Sequence, residues 1–387
     1  MRWRRTYLDY ASGFTGNPSS AHTDGRAARS RLQDARTRIA RLIEAKPDDV
    51  IFTSGATEAN ALAILGVMRA AASGRGAFGV HQALPATSLR VLYLPGSHSS
   101  IVENVRAAAE ETGATAEPLP LDGTQVDCAA LVRLLAAGNP TLVTMEAVCG
   151  ETGVIWNTRE VRNALATGAS AGIAPTLLHV DASQAPLVEK LTRAHFGADL
   201  LTLDGVKVGT EHRIGCLVAA RTIPIDPLYY GGLQERGLRP GTEDVRGAEE
   251  FSRGLTFAVA HRERFLQKSR VLRARLIADI ERMVPGVRIN GGALQAPHIL
   301  NLSLPGRDTD YLVALLDEAG FSVSTRSACE TDSAEGSRAV YALFGDRDRA
   351  ASTLRLSWGT RTNARMLKRF ARALRGAVAF IDASALR

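Results

Sequence analysis

The sequence predicts an α/β fold: a large domain built on a mainly parallel sheet, followed by a smaller α+β domain. Three observations carry this. Short apolar runs alternate with stretches of helical spacing up to about residue 248, which implies parallel strands covered by helices on both faces. The pattern then changes to a long amphipathic stretch followed by shorter strands. Finally, 387 residues exceed what one hydrophobic core ordinarily serves. Two domains are therefore expected, 12–248 and 249–387, the second taking in residues 1–11.

The elements follow in order. Residues 27–44, rich in Arg, Ala and Leu at helical spacing, read as a helix. Residues 48–55 read as a short strand entering a glycine turn, and 56–71 as the next helix. Gly, Ala and Ser dominate 72–90, a surface loop. Strands are expected at 91–94, 141–147, 176–180, 200–203 and 215–219, with helices over 99–111, 128–137, 158–168 and 185–194. A helix over 248–283 leads to strands at 287–289, 299–304 and 322–325, and a last helix covers 364–383. No internal repeat is evident.

Composition narrows the function. Aromatic residues make up only 5%, which argues against a stacking surface for single-stranded nucleic acid. The net charge of +7 is spread along arginine-rich helices without a long basic run. It favours anionic ligands or acidic partners and does not indicate direct nucleic-acid binding. The N-terminus lacks an apolar signal core, and no apolar run reaches about 18 residues, so no membrane span is expected. The cysteines, Cys128, Cys149, Cys216 and Cys329, form no Cys-x-x-Cys pair. Zinc is not indicated, and a reducing cytoplasmic compartment fits.

Lys207 is the most informative residue. Of 47 lysines and arginines only five are lysines, and this one ends the apolar run Asp199-Leu-Leu-Thr-Leu-Asp-Gly-Val-Lys207. A lysine in an apolar setting can lose its proton and attack a carbonyl, which arginine cannot do. Asp181 ends the run Thr176-Leu-Leu-His-Val-Asp181, 26 residues earlier, a spacing that suits neighbouring parallel strands. An amine and a carboxylate in one crevice suit pyridoxal phosphate: the lysine forms the Schiff base and the acid keeps the pyridine nitrogen protonated. A buried Asp–Lys ion pair is the alternative.

Other candidates surround this pair. Ser54-Gly-Ala56-Thr57-Glu-Ala-Asn60 opens a helix after a strand, and its helix N-terminus and Thr57 hydroxyl could bind a phosphate. An ordinary helix cap would look the same. His98, after a strand, could stack on a flat cofactor and move protons. Arg355, in Leu-Arg-Leu-Ser-Trp-Gly, has the planar fork that suits a carboxylate. Gly231–Thr242 is a glycine-rich polar loop that could meet an anion or simply connect domains. Cys329 lies among small polar residues, where an exposed thiol suggests nucleophilic use.

Together these residues resemble the cysteine desulfurases, class V aminotransferase-like enzymes of fold-type I that depend on pyridoxal 5'-phosphate. The matches run in order: Gly16-Asn-Pro-Ser-Ser-Ala-His22, Thr53–Asn60, Glu151-Thr-Gly-Val154, His179–Gln184, Gly231–Thr242, Ser327-Ala-Cys329 and Arg355-Leu-Ser357. The long segment between Cys329 and Arg355 resembles the form with an extended catalytic-cysteine loop, which delivers sulfur to scaffold and carrier proteins.

The resemblance implies a homodimer acting on L-cysteine, with Lys207, Cys329 and His98 catalytic. It implies that Ala56, Thr57, Asp181, Gln184 and, from the partner subunit, Thr242 hold the cofactor. Arg355 would hold the substrate carboxylate. Alternatives are another pyridoxal phosphate lyase or aminotransferase on this fold, or a degenerate homologue acting as a sulfur-trafficking scaffold.

The chain also departs from the family. Val206 and Asp204 stand where the family has histidine and serine, Gly150 replaces an asparagine, and the segment between Tyr10 and Gly16 is short. An aspartate beside a phosphate would repel it, so Asp204 either points away or the phosphate is held differently.

Overall fold

The computed structural model describes residues 6–14, 16–79, 88–136, 138–170, 175–325 and 336–384. Its strands are β1 (Val50–Thr53), β2 (Arg90–Tyr93), β3 (Thr115–Pro118), the short pair β4 (Leu121–Asp122) and β5 (Gln125–Val126), β6 (Thr141–Glu146), β7 (Thr176–Asp181), β8 (Leu200–Asp204), β9 (Gly215–Ala219), β10 (Arg288–Asn290), β11 (Ile299–Ser303) and β12 (Thr353–Ser357). Its helices are α1 (Thr23–Leu42), α2 (Ala56–Ala72), α3 (Ser99–Thr112), α4 (Cys128–Leu135), α5 (Thr158–Ser170), α6 (Arg193–Phe196), α7 (Val245–Met283), α8 (Thr309–Glu318), α9 (Arg338–Phe344), α10 (Arg347–Ala351) and α11 (Ala364–Ser384).

The large sheet has the order β1-β9-β8-β7-β6-β2-β3. β8, β7, β6, β2 and β3 are parallel neighbours, and β9 runs against both β1 and β8. Successive side chains on a strand point to opposite faces. Leu142, Leu200 and Leu217 pack in one core with α2 and α3. Val143, Leu178, Val180, Leu201 and Leu203 pack in the other, with α1, α5 and α7.

The same parity sets Thr144, His179 and Thr202 in a row on the α2/α3 face. There His179 Nδ1 lies 2.8 Å from Thr144 Oγ1 and His179 Nε2 lies 3.0 Å from Thr202 Oγ1. Two residues further along each strand come Glu146, Asp181 and Asp204, the last residues of β6, β7 and β8. The strand ends thus carry three acids on one face.

Antiparallel strands in the order β10-β11-β12 form a second sheet. Its core, with Leu276, Leu300, Leu354, Phe370 and Leu374, is separate from those of the large sheet. α7 joins the two regions. Asp244 caps its start by accepting the Gly247 N–H at 2.9 Å, and the helix buries Phe251, Leu255, Phe265, Leu272 and Ile280 along one face. Because α7 begins at Val245, the expected division after 248 falls inside a helix. At the N-terminus, Tyr7 packs edge-on against His22, and Asp9 accepts the Ser20 hydroxyl at 2.9 Å.

Local readings fail where spacing is ambiguous. The segment 185–194, expected as a helix, is a series of turns, and only Arg193–Phe196 is helical. Ala185, Val188 and Leu191 are buried three residues apart, a spacing that successive turns satisfy as well as a helix does. The expected strand at 322–325 reduces to a single bridge between Ser324 and Arg355. The edge strand β3 and the helices α8, α9 and α10 were not anticipated.

Candidate active site

Open α/β sheets bind ligands outside the carboxyl ends of their strands. A cavity of about 290 Å³ lies there, against the ends of β6, β7 and β8, the turn after β2 and the start of α2. It gathers Ala56, Thr57, His98, Asp181, Gln184, Lys207 and Arg355, drawn from across nearly the whole chain.

Asp181 is the most tightly fixed of these. Its Oδ1 accepts the Ser183 N–H at 2.9 Å and its Oδ2 accepts Asn60 Nδ2 at 2.8 Å. Asn60, on α2, also donates to Ser100 Oγ at 2.9 Å, so one amide ties the acid to two helices. His98 caps α3: its Nδ1 accepts the Ser100 N–H at 3.1 Å, which places the proton of a neutral ring on Nε2. Arg355, on β12, donates from Nη1 to the Gly150 carbonyl at 3.3 Å, which joins the small sheet to the cavity.

Lys207 differs from its expected setting. β8 is buried through Leu203, but Lys207 sits three residues beyond the strand on a 3₁₀ turn and is exposed. It lies at the cavity wall without being enclosed in apolar surroundings. Val206 beside it is 51% exposed and does not line the cavity. Gly150 does line it, and a Cβ there would stand 3.1 Å from Gln184 Nε2.

Two further predicted residues lie elsewhere. Thr242 is outside this cavity, with its hydroxyl 3.4 Å from Asn17 Nδ2. Cys329 falls in 326–335, outside the described residues.

The structure adds residues the sequence did not single out. Glu146 lines the cavity, and burial, reinforced by Asp181, pushes its carboxyl up to about 8, so it is neutral at pH 7. Burial and then Glu146 hold the Cys149 thiol well above its ordinary range, which keeps this cysteine from being a ready nucleophile. Asp204 lines the cavity together with Ala56, the first residue of α2, and its Oδ1 accepts the Val206 N–H at 2.9 Å. Burial raises its pKa. Among the described residues, these acids do not form a group able to hold a metal ion.

The donor set fits a flat, polar cofactor. Ser97 Oγ, Ser183 Oγ and Glu146 Oε1 are buried at the cavity without hydrogen-bond partners among the described residues, as expected where a ligand completes the set. Lys207 supplies the amine, Asp181 a held carboxylate and His98 an aromatic face. The start of α2, after Gly55 at φ 140°, supplies backbone N–H groups. A separate cavity of about 380 Å³ lies between α1 and the 233–243 loop. Its wall includes the buried Arg36–Glu235 ion pair and shares no residue with the first cavity.

Known proteins share the sequence family and the fold of this chain. The class-V aminotransferase family profile matches residues 5–370. An IscS-like cysteine desulfurase of Mycobacterium tuberculosis is 30% identical over 89% of this chain and 84% of its own. Human selenocysteine lyase is 30% identical over 95% and 86%. Among solved structures, DndA of Streptomyces lividans superposes with a TM-score of 0.71 at 27% identity, covering 90% of this chain and 94% of that one. A NifS-like protein reaches a TM-score of 0.82 at 24% identity, over 94% and 92%, and shares the fold. The chain therefore belongs to the class-V aminotransferase family, within its cysteine desulfurase group, and is a pyridoxal-phosphate-dependent enzyme.

Proposed function

We propose that this protein removes sulfur from L-cysteine, forming L-alanine, and holds the sulfur as a persulfide on Cys329 before passing it to an acceptor or scaffold protein. The observation that carries this reading is the convergence of Lys207, Asp181, His98 and Arg355 on one cavity. When bound, pyridoxal phosphate supplies an electron sink for the substrate carbon. Asp181, held by Ser183 and Asn60, keeps a proton on the ring nitrogen. Arg355 holds the substrate carboxylate through its planar fork. His98 and Lys207 carry protons to and from the substrate. The Cys329 thiolate attacks the substrate sulfur: a sulfur–sulfur bond forms, the carbon–sulfur bond breaks, and the carbon takes up a proton.

The active species is a homodimer. Leu8, Phe14, Tyr230 and Leu233 expose large apolar side chains, and Thr242 lies outside its own chain's cavity, which supports a role in a partner's site. The separate core of the small sheet supports a smaller C-terminal domain, with the boundary running through α7 rather than falling cleanly after 248. No helix among the described residues is long and apolar enough to cross a membrane, and Cys128, Cys149 and Cys216 are unpaired. Both support placement in the cytoplasm, with iron–sulfur cluster assembly as a destination for the sulfur.

Cys329→Ser tests the sulfur step. The variant keeps the yellow cofactor band and binds L-cysteine, but alanine release falls by at least a hundredfold, because a hydroxyl is a poor nucleophile toward sulfur. Mass spectrometry after exposure to L-cysteine finds added sulfur on the wild-type Cys329 peptide. Full alanine production by the variant would sink this reading in favour of a lyase that needs no persulfide. A second reading, a scaffold that has lost catalysis, is favoured by Asp204 at the start of α2. It predicts a wild-type protein that stays colourless with pyridoxal phosphate.

A further inference from the structure

Asp204 occupies a position that a phosphate would be expected to take. α2 is a 17-residue helix whose N-cap, Gly55, offers no side chain to its first N–H groups. Such an end attracts an anion. Here an anion is already present, supplied by β8: the Asp204 carboxyl lines the same cavity as Ala56, the first residue of α2, and its Oδ1 accepts the Val206 N–H at 2.9 Å. Glu58, in the same turn, is engaged elsewhere, accepting the Tyr229 hydroxyl at 2.8 Å with Arg239 3.3 Å away.

The remaining charged groups do not relieve the conflict. Lys207 on the following turn is a cation acting on Asp204. Asp181 on β7 adds negative charge. Cys216 on β9 is held protonated by burial. Arg355 bonds Gly150. A phosphate dianion entering this cup meets the Asp204 carboxylate, with the exposed Lys207 as a counter-charge.

We propose that Asp204 is a proton-linked gate for the cofactor phosphate: the phosphate settles at the start of α2 when Asp204 takes up a proton and donates it to a phosphate oxygen. The inference rests on the pyridoxal phosphate reading of the site. Burial already raises the acid's pKa, and an incoming phosphate raises it further by like-charge repulsion. Cofactor affinity then falls as pH rises, by up to about tenfold per unit for one linked proton.

The test uses pyridoxine 5'-phosphate, which has no aldehyde and so binds without reacting with Lys207. The full chain, freed of cofactor, is titrated calorimetrically between pH 7 and 9 in two buffers of different ionisation enthalpy. Wild type loses affinity steeply across this range and takes up close to one proton more on binding than a variant without the Asp204 charge. Asp204→Asn keeps the shape and a polar group without the charge, binds at least tenfold tighter at pH 8 and takes up about one proton fewer than wild type. Asp204→Ser provides a second variant with the same expectation. Equal affinity, proton count and pH slope in wild type and both variants would overturn the gate while leaving the cofactor reading intact. Failure of all three proteins to bind either pyridoxine 5'-phosphate or pyridoxal phosphate would overturn the cofactor reading and the gate together.

Discussion

Glu146 ends β6 with its side chain buried and Oε1 without a partner, opposite Asp181 on β7. Two carboxylates this close and this buried do not both ionise readily, and burial pushes Glu146 to about 8, against an ordinary value of 4.5. A folded-state pKa above the unfolded one contributes stability that is complete below pH 4.5 and is lost as pH rises to about 8. The decline is about 1.4 kcal/mol per pH unit for one proton. Glu146→Gln keeps the shape and a neutral polar group, so its unfolding free energy loses that slope. Denaturant unfolding of cofactor-free protein at pH 5, 6, 7 and 8 measures it, and parallel wild-type and variant profiles would show that Glu146 is ionised throughout. Nothing in the residues 141–146 marked Glu146 in advance. A single acid after an apolar run reads as a strand end, and only the parity of three strands brings it beside Asp181 and Asp204.

β6, β7 and β8 are held in register by more than their backbone ladders. His179 on the central strand bridges Thr144 and Thr202 on its neighbours, and burial lowers its pKa to about 4. His179→Leu leaves two buried hydroxyls without their partner, and the expected loss is about 1–3 kcal/mol at pH 7.5. A depressed histidine pKa contributes stability that is present above 6.5 and lost as pH falls to about 4. Wild type and variant therefore converge between pH 6.5 and 4.5 in urea unfolding. A pH-independent difference would mean that the ring is not held neutral. These strands were legible because each is a short apolar run bounded by polar residues. β3 was not: it is an exposed edge strand, Thr115-Ala-Glu-Pro118, without apolar alternation. The turns at 185–192 imitated a helix because burial at every third residue suits both. The crevice itself was legible from Asp181 and Lys207, since strand-end residues on neighbouring strands must meet. The exposure of Lys207 was not, because it depends on a turn beyond the strand.

At the scale of the molecule, Thr242 lies outside its own chain's cavity, which the proposed dimer would explain. Leu233 is 90% exposed, and Tyr230 and Phe14 are each 83% exposed, close in sequence to the loop bearing Thr242 or to the segment that meets it. Leu233 also lines the cavity against α1 with Pro18 and Ser19, so the loop and the N-terminal segment form one surface. A second copy seated there would cover the apolar side chains and carry Thr242 toward its cofactor phosphate. Sedimentation should find a dimer, and Leu233→Asp with Tyr230→Asp should shift it toward monomer and weaken cofactor binding together. Thr242→Val should weaken binding without dissociating the dimer. The decisive measurement mixes two defective chains, Thr242→Val and Lys207→Ala, under conditions that exchange subunits. If Thr242 acts across the interface, each mixed dimer has one site with an intact Lys207 from one chain and an intact Thr242 from the other. That site regains wild-type cofactor affinity and the yellow band at limiting pyridoxal phosphate. If Thr242 serves its own chain, neither site in the mixed dimer is complete and mixing restores nothing. Restoration would fix the smallest competent unit as two chains, whereas its absence would return the exposed loop to some other partner.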